Sequence, residues 1–494
     1  MYFYNFYEKF NLNFIELIRL FYEEVTILEN NKNIFNYDGE FIIIESKEHT
    51  SMLEINIKYA KDRTLIFKET INFKEDINNF MCRRKLKYDI KSTLYKFLVK
   101  IKGKSLSWGI LTGIRPGIIV HDLLSEGLSE KNVISTMQDK YFLNNDKSRL
   151  IYDVAINERS IITKSDDKMI SLYIGIPFCL SRCNYCSFVS HVCKEDDDLL
   201  KEYIESLKIE LVQILILINK KKYTIETIYF GGGTPSILNI QLLEVLMNTL
   251  NNFIKLKDVI EITFEAGRPD SINREKLELL KEKNINRISI NPQTMNDNTL
   301  IKIGREHKSY DIVEKFKLAR KIGFDNINMD IIIGLADEGI YEVKKTFNVL
   351  EKLNPESITI HSLAIKRTAN LKNEHRSESI PENFNIYDVF NFALNKAYKM
   401  DMIPYYLYRQ KYSKGNLENI GFSKVDKKCI YNIKMIEDNQ TIIGLGAGSV
   451  TKLLVKNNNK IQRFFNLKNV FEYNKRIDEM VNRKKKFIGN IFEI

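Results

Sequence analysis

The segment Tyr173-Ile-Gly-Ile-Pro-Phe-Cys179-Leu-Ser-Arg-Cys183-Asn-Tyr-Cys186 places three cysteines on a loop directly after a short apolar run, with the spacing C-x3-C-x2-C. Thiolates bind iron–sulfur clusters, and a cubane cluster has four irons to ligate. Three cysteines therefore leave one iron open to a small molecule. A zinc site with Cys193 or His191 as the fourth ligand is the alternative, but zinc sites favour paired C-x2-C spacings.

Apolar runs and segments of helical period alternate on the carboxyl side of this loop. Strands are predicted at 171–176, 226–230, 260–265, 286–290, 327–333 and 357–361. Helices are predicted at 197–218, 238–254, 273–283, 308–322 and 340–352. Continuous apolar strands separated by helices indicate a parallel sheet covered on both faces. Six such units predict an α/β fold, either an open barrel or a doubly wound sheet.

Polar or glycine-rich positions mark one end of five of these strands. They are the cysteine loop, Gly231-Gly-Gly-Thr-Pro235, Glu265, Gln293 and Asp330. Chemistry in parallel β/α folds gathers at the carboxyl ends of the strands. Glycine lets the backbone approach a ligand closely with its N–H groups exposed. Burying Glu265 or Asp330 is costly without hydrogen bonds, which the ribose of a bound nucleoside or an internal arginine network could supply.

The cysteine loop resembles the radical S-adenosylmethionine (SAM) signature. The wider pattern resembles the coproporphyrinogen dehydrogenase family, and within it the HemZ-type oxygen-independent coproporphyrinogen III oxidase-like proteins. The further resembling segments are Gly113–Pro116, Tyr229–Pro235, Glu265–Pro269, Arg287–Gln293, Gly304–His307, Asp330, His361–Arg367 and Gly444–Ser449. The resemblance covers the whole chain and is densest from residue 171 to residue 367.

This resemblance implies a partial (β/α)6 TIM-like radical SAM barrel at 166–365. An N-terminal α+β accessory domain is expected at 1–165, and a small C-terminal cap that covers the substrate at 366–494. The implied cofactors are one [4Fe–4S] cluster and SAM, which completes the cluster's coordination. The implied cluster ligands are Cys179, Cys183 and Cys186. The implied SAM contacts are Tyr173, Gly232, Gly233, Thr234, Glu265, Gln293, Arg305, Asp330 and Ala364. No residue is assigned to catalysis beyond these.

The implied function is the conversion of coproporphyrinogen III to protoporphyrinogen IX by a 5′-deoxyadenosyl radical, in haem biosynthesis without oxygen. The implied partners are a porphyrinogen or other tetrapyrrole substrate and a flavodoxin- or ferredoxin-like electron donor. The alternatives are a HemW-like haem chaperone, which binds haem, cluster and SAM without this turnover, and another radical SAM enzyme. Three departures from the founding dehydrogenases bear on the choice. Phe188 replaces a further cysteine, Gly175 replaces a histidine, and Glu418 precedes Asn419 where the family has a His-Asn pair.

Several other side chains have both an ordinary and a functional interpretation. Arg268, Lys366, Arg367 and Arg409 could hold propionate carboxylates, although a solvated face is the commoner role of such cations. Tyr405, Tyr406 and Tyr408 could pack on a tetrapyrrole, but core packing is the commoner role. His307 and His361 are expected to be satisfied hydrogen-bonding residues.

Composition limits the class of protein further. The 494 residues include six cysteines, and the formal net charge is +11. Clustered thiols indicate metal or redox chemistry rather than disulfides. The charge fits either a lysine-rich surface or an anionic partner, such as a polycarboxylate substrate. A nucleic-acid partner is not expected because no RNA-binding module is recognisable. The sequence has no signal-peptide pattern and no long apolar run, so we expect a cytoplasmic protein without a membrane span.

Overall fold

The fold divides into two units, Met1–Tyr152 and Asp153–Ile494, in the computed structural model of the chain. The structure describes residues 1–5, 11–22, 24–28, 38–49, 52–75, 79–163, 166, 168–188, 190–335, 337–364, 385–411, 413–455 and 460–492. The predicted bounds of the three domains stay a prediction.

The first unit combines a five-stranded sheet with helices. Its strands are β1 (Tyr2–Asn5), β2 (Thr26–Ile27), β3 (Glu40–His49), β4 (Met52–Lys61) and β5 (Thr64–Phe73), in the order β2-β1-β3-β4-β5. Its helices are α1 (Asn11–Ile18), α2 (Phe80–Lys102), α3 (Gly117–Ser125) and α4 (Glu130–Asp139), and α5 (Asn145–Ile162) runs across the boundary. Strands β3, β4 and β5 pair antiparallel, and apolar side chains such as Phe3, Ile57 and Leu94 form the core of the unit.

The second unit is built on one eleven-stranded sheet. Its strands, with two short ones beside it, are β6 (Met169–Ile176), β7 (Phe178–Cys179), β8 (His191–Val192), β9 (Thr224–Gly232), β10 (Glu261–Gly267), β11 (Arg287–Ile290), β12 (Ile327–Ile333), β13 (Ser357–Ser362), β14 (Ile403–Arg409), β15 (Glu418–Ser423), β16 (Thr441–Leu445), β17 (Val450–Val455) and β18 (Lys460–Phe465). The order in the large sheet is β14-β15-β13-β12-β11-β10-β9-β6-β16-β17-β18. The strands from β6 to β13 in this sheet are parallel, as the apolar runs predict. The short β7 and β8 pair with each other.

Helices join the parallel strands. Between β6 and β13 they are α6 (Asp198–Lys220), α7 (Ile240–Asn251), α8 (Arg274–Glu282), α9 (Asp297–Lys302), α10 (Ser309–Ile322) and α11 (Ile340–Leu353). Four helices follow β13, namely α12 (Ile386–Lys399), α13 (Ile430–Glu437), α14 (Val470–Lys475) and α15 (Ile477–Phe492). Asp197, Asn239 and Asn273 cap α6, α7 and α8 by accepting a hydrogen bond from a backbone N–H of the first turn. Each predicted helix is therefore present, with bounds that differ by a few residues. No described helix has both the length and the apolarity that crossing a bilayer requires.

The C-terminal segment returns to the first strand of the parallel sheet. Strand β16 pairs parallel with β6 along Thr441 to Leu445, and the Gly444–Ser449 run follows at the same edge. Glu210 of α6 holds this run, because it accepts hydrogen bonds from Gly446 N at 2.8 Å and from Tyr473 Oη at 2.5 Å. Lys484 of α15 forms an ion pair with the same carboxylate, and both charged side chains are fully buried.

Candidate functional site

The cysteine loop begins at the end of β7 and lies against the segment that follows α9. Cys179 ends the strand, the N–H of Cys186 donates to Cys183 O at 3.0 Å, and Asn184 N donates to Ile303 O at 3.1 Å. The three cysteines are half-buried and free of disulfides. Burial raises the pKa of Cys179 and Cys186, so their thiolates need a neighbouring positive charge, such as a metal centre.

The glycine motif after β9 holds the strand that carries the first cysteine. Gly233 N donates to Ile176 O at 2.8 Å, and Thr234 N donates to Phe178 O at 2.7 Å. A Cβ at Gly233 would lie 2.3 Å from Phe178 O, so only glycine fits there. The expectation that the motif exposes its N–H groups to a ligand is therefore wrong for these two residues. Thr234 Oγ1 lies 3.5 Å from Cys179 Sγ, which places the motif beside the cysteines.

Glu265 lies in an apolar strand with a tyrosine as its hydrogen-bond donor. Tyr229 Oη donates to Glu265 Oε1 at 2.6 Å. Burial raises the pKa of Glu265 to about 7, although this hydrogen bond acts to lower it. A Cβ at Gly231 would lie 3.3 Å from both Glu265 Oε1 and the Tyr173 ring. The carboxylate, the glycine motif and Tyr173 therefore converge, and both protonation states of Glu265 are accessible near neutral pH.

Asp330 is the second carboxylate, and it is ionised by its partners. Burial acts to raise its pKa, but His361 and Asn328 outweigh burial and lower it. Asn328 Nδ2 donates to Asp330 Oδ1 at 2.7 Å, and His361 Nε2 lies 3.8 Å from Oδ2. The Asp330 side chain is 21% exposed, so the carboxylate is partly accessible. Its hydrogen-bond donor is therefore an amide and its charged neighbour a histidine, rather than the members of an arginine network.

Two further predicted SAM contacts keep buried polar atoms without a partner among the described residues. Gln293 adopts a left-handed backbone conformation (φ 64°), and its N–H donates to Asp330 O at 2.9 Å. Arg305 Nη1 donates to Asn291 O at 2.5 Å, and Nη2 donates to Tyr185 Oη at 3.3 Å. Gln293 Oε1 and Arg305 Nε are the buried atoms left over. Such atoms are costly unless a ligand satisfies them.

Ala364 is the last predicted SAM contact along the sheet. It follows β13, where it forms a short antiparallel bridge with Ser413. The contacts above bring Tyr173 and Glu265 together beside Gly231, Thr234 next to Cys179, and Gln293 next to Asp330. The roles of all these residues towards SAM stay a prediction.

Three tyrosines form a layer that the sequence did not single out, which we call the tyrosine stack. The ring of Tyr431, on α13, stacks on that of Tyr229 with 4.5 Å between centroids and 24° between the ring planes. Tyr173 stacks at 6.3 Å from each of them. Glu261 fixes α13 by accepting a hydrogen bond from the Tyr431 N–H at 3.2 Å. The stack buries one side of the Glu265 site, and no periodicity around residue 431 could have indicated it.

The arginines occupy a different environment from the one expected. Arg268 and Arg409 are only 3% and 4% exposed, so the solvated-face expectation is wrong for both. Arg409 donates to Asn416 O at 3.3 Å, whereas Arg268 contacts the cysteine loop. Lys366 and Arg367 lie outside the described residues.

Among the remaining tyrosines and histidines, some predictions are confirmed and one is wrong. Tyr405 and Tyr406 are buried in one apolar cluster, which confirms core packing. His361 has its expected partners, since its Nδ1 lies 3.3 Å from Asn419 Oδ1. His307 does not, because neither ring nitrogen has a hydrogen-bond partner among the described residues. Burial lowers the pKa of His307 to about 4, so this imidazole is neutral.

Comparison with known proteins places these features in a family. The model of the radical SAM superfamily matches residues 173–350. The oxygen-independent coproporphyrinogen-III oxidase-like protein HemZ of Bacillus subtilis is 33% identical over 482 residues, which are 97% of this chain and 95% of that protein. The heme chaperone HemW of Bacillus subtilis is 36% identical over 199 residues, which are 40% of this chain and 51% of that protein.

A solved structure shares the fold. Coproporphyrinogen III oxidase (HemN) from Escherichia coli has a TM-score of 0.52 at 21% identity, over 66% of this chain and 73% of that one. The predicted TIM-like radical SAM fold is confirmed. The cofactors that come with the superfamily are a [4Fe–4S] cluster and SAM, which decides against the zinc alternative.

The side chains present fit these cofactors. Three cysteines free of disulfides share one loop, and Cys179 Sγ lies 3.5 Å from the Thr234 hydroxyl. Two partly exposed carboxylates, Glu265 and Asp330, are suitable acceptors for ribose hydroxyls. The unpartnered atoms of Gln293 and Arg305 add one buried acceptor and one buried donor.

Proposed function

Because the chain belongs to the HemZ-type, oxygen-independent coproporphyrinogen oxidase-like family of radical SAM proteins, we propose that it converts coproporphyrinogen III to protoporphyrinogen IX by two oxidative decarboxylations. The observation that carries this proposal is the extent of the similarity to HemZ. It runs over 97% of the chain and so includes the segments on both sides of residues 173–350. A likeness confined to the superfamily core would leave the substrate open.

Two groups of residues are proposed to bind the two cofactors. Cys179, Cys183 and Cys186 hold the cluster, and the cluster with SAM supplies the radical that removes a hydrogen atom from a propionate side chain. Glu265 and Asp330 would accept hydrogen bonds from the nucleoside hydroxyls and so would orient SAM for the reaction.

Two features of the site protect this chemistry. The tyrosine stack closes one side of the Glu265 site with aromatic surface, which excludes water from the reacting groups. Asp330 stays ionised because His361 lies 3.8 Å from it, so at least one anionic acceptor persists when Glu265 takes up a proton at Oε2. We also propose that residues 366–494 cover the substrate and that a flavodoxin- or ferredoxin-like protein delivers the electrons that cleave SAM. After each hydrogen removal the substrate radical loses CO2 and one electron to leave a vinyl group, and a separate one-electron acceptor takes up that electron.

A haem chaperone is the second candidate. Its support is the 36% identity to HemW over 199 residues, together with Phe188 at the position of the founding dehydrogenases' further cysteine. The Phe188 side chain is 67% exposed, so an apolar group replaces a thiol at the surface of the cysteine loop. Such a chaperone would hold the same cofactors and bind haem without turnover.

One anaerobic assay separates the two candidates. The reconstituted protein is incubated with SAM, a low-potential one-electron donor and coproporphyrinogen III. The decarboxylase yields vinyl product with one 5′-deoxyadenosine per propionate lost, and Cys183→Ala yields neither. Stable haem binding and transfer without vinyl product would instead support the chaperone and reject the decarboxylase.

A further inference from the structure

Arg268 is a buried cation, and one edge of its guanidinium group is occupied by an ion pair. It follows β10 and is 3% exposed. Its Nε donates to Asp270 Oδ1 at 3.0 Å, and its Nη2 donates to Asp270 Oδ2 at 2.6 Å. This bidentate pair fixes the plane of the guanidinium group.

The free edge of the same guanidinium group faces the cysteine loop. Arg268 Nη1 donates to Ser181 Oγ at 2.6 Å and to Ser181 O at 3.3 Å. Ser181 lies midway between Cys179 and Cys183 in the sequence. Arg268 therefore holds the part of the loop that spaces the first two cysteines.

The charge of Arg268 lies against the segment between two of the proposed cluster ligands. Ser181 is two residues from Cys179 and two residues from Cys183, so a cation in contact with Ser181 is close to both thiols. Because little water lies between buried groups, such charges interact more strongly than they would at the surface.

We propose that Arg268 is a positioning residue that sets the reduction potential of the cluster, and that Asp270 limits its effect. Reduction adds one electron to the cluster from a low-potential one-electron donor, and no bond forms or breaks. A nearby buried cation stabilises the added negative charge and so raises the potential, because cluster potentials follow local charge and hydrogen bonding. The Asp270 carboxylate opposes this effect from the far side of the guanidinium group.

The proposal depends on the cofactor and not on the tetrapyrrole. The reduction potential of the cluster is measured without substrate. Its measurement therefore tests the proposal on Arg268 independently of the decarboxylation. If Arg268 had only a structural role, its loss would change the amount or the uniformity of the bound cluster. It would not make the reduction potential shift in opposite directions in the Arg268 and Asp270 variants.

The test is a redox titration of the reconstituted protein, without SAM or substrate, followed by electron paramagnetic resonance. In Arg268→Gln we expect the ratio of reduced to oxidised cluster at a fixed potential to fall at least about tenfold, which is about 59 mV for a one-electron couple. In Asp270→Asn we expect the ratio to rise. Arg268→Lys keeps the charge, so its potential should stay near that of the unchanged protein even where the loop is less ordered.

The control is Arg274→Gln, which removes an arginine of α8 that is 52% exposed and forms an ion pair with Glu278, and we expect no shift there. Equal potentials in Arg268→Gln and the unchanged protein would overturn the proposal. So would shifts of the same sign in Arg268→Gln and Asp270→Asn. If Arg268→Gln does not retain a cluster, the other two variants decide. An unchanged or lower reduction potential in Asp270→Asn overturns the proposal, and so does a large fall of the potential in Arg268→Lys.

Discussion

Replacing Tyr229 by phenylalanine removes the hydroxyl group that donates to Glu265 Oε1 at 2.6 Å. Burial of Glu265 raises its pKa to about 7. The hydrogen bond from Tyr229 acts in the opposite direction, because it favours the ionised carboxylate. A hydrogen bond to a charged group contributes about 1.5–3 kcal/mol, and 1.36 kcal/mol corresponds to one pH unit. We therefore expect the pH midpoint of SAM binding to rise by about 1–2 pH units in Tyr229→Phe.

The direction of the pH dependence follows from which protonation state of Glu265 binds SAM. Ribose hydroxyls donate best to the ionised carboxylate, so affinity for SAM should fall as the pH drops through the pKa of Glu265. When only the ionised form binds, Tyr229→Phe should bind SAM roughly 5- to 50-fold more weakly at pH 7 and recover at higher pH. The amino group of SAM titrates as well, but this contribution is common to both proteins and cancels in the comparison.

The assay is anaerobic calorimetric titration of SAM into the reconstituted protein between about pH 5.5 and 9.5, a range that brackets the ionisation of a carboxyl near neutral pH. The matched control is Tyr431→Phe, which removes a hydroxyl from the tyrosine stack and leaves the bond between Tyr229 and Glu265 in place. Its pH midpoint should be unchanged. Coincident curves for Tyr229→Phe and the unchanged protein would refute the role of Glu265 as a SAM acceptor.

Three further substitutions test other parts of the structure. Cys183→Ala should abolish cluster assembly, measured by iron content and visible absorbance, while far-ultraviolet circular dichroism stays unchanged; full cluster absorbance would reject the ligand set. Gly233→Ala should lower the free energy of unfolding by about 1–3 kcal/mol and weaken cluster retention, because its Cβ meets the backbone of β7, whereas Gly113→Ala has open space and should do neither. Lys484→Met should cost about 3–5 kcal/mol in denaturant unfolding because it leaves a buried carboxylate unpaired, and adding Glu210→Gln should recover part of that loss; equal stabilities of the single and double variants would contradict this.

Local patterns predict the parallel sheet well because each signal lies within one element. Strand β12 begins and ends at Ile327 and Ile333, as its apolar run predicts, and α7 begins after the capping residue Asn239. The polar residues at the strand ends were equally visible in the sequence, since the direction of parallel strands brings their carboxyl ends to one edge.

Contacts between distant segments were not predictable in the same way. The charge of Arg268 is plain in the sequence, but its contact with Ser181, which is 87 residues away, is not. Tyr431 belongs to the site only because α13 packs beneath β9, and an eight-residue helix carries too short a pattern to reveal that. His307 is buried without partners among the described residues, which a preference for satisfied histidines could not foresee.

The pairing of β16 with β6 has a consequence for synthesis on the ribosome. The barrel's first strand gains this neighbour only after residue 445 has been translated, although β6 itself ends at residue 176. Until then the nascent chain presents an apolar strand edge next to its cysteines, which favours misassembly and aggregation. A polypeptide that stops at residue 365 would keep this edge permanently, so we expect it to be retained by chaperones and recovered mostly in the insoluble fraction.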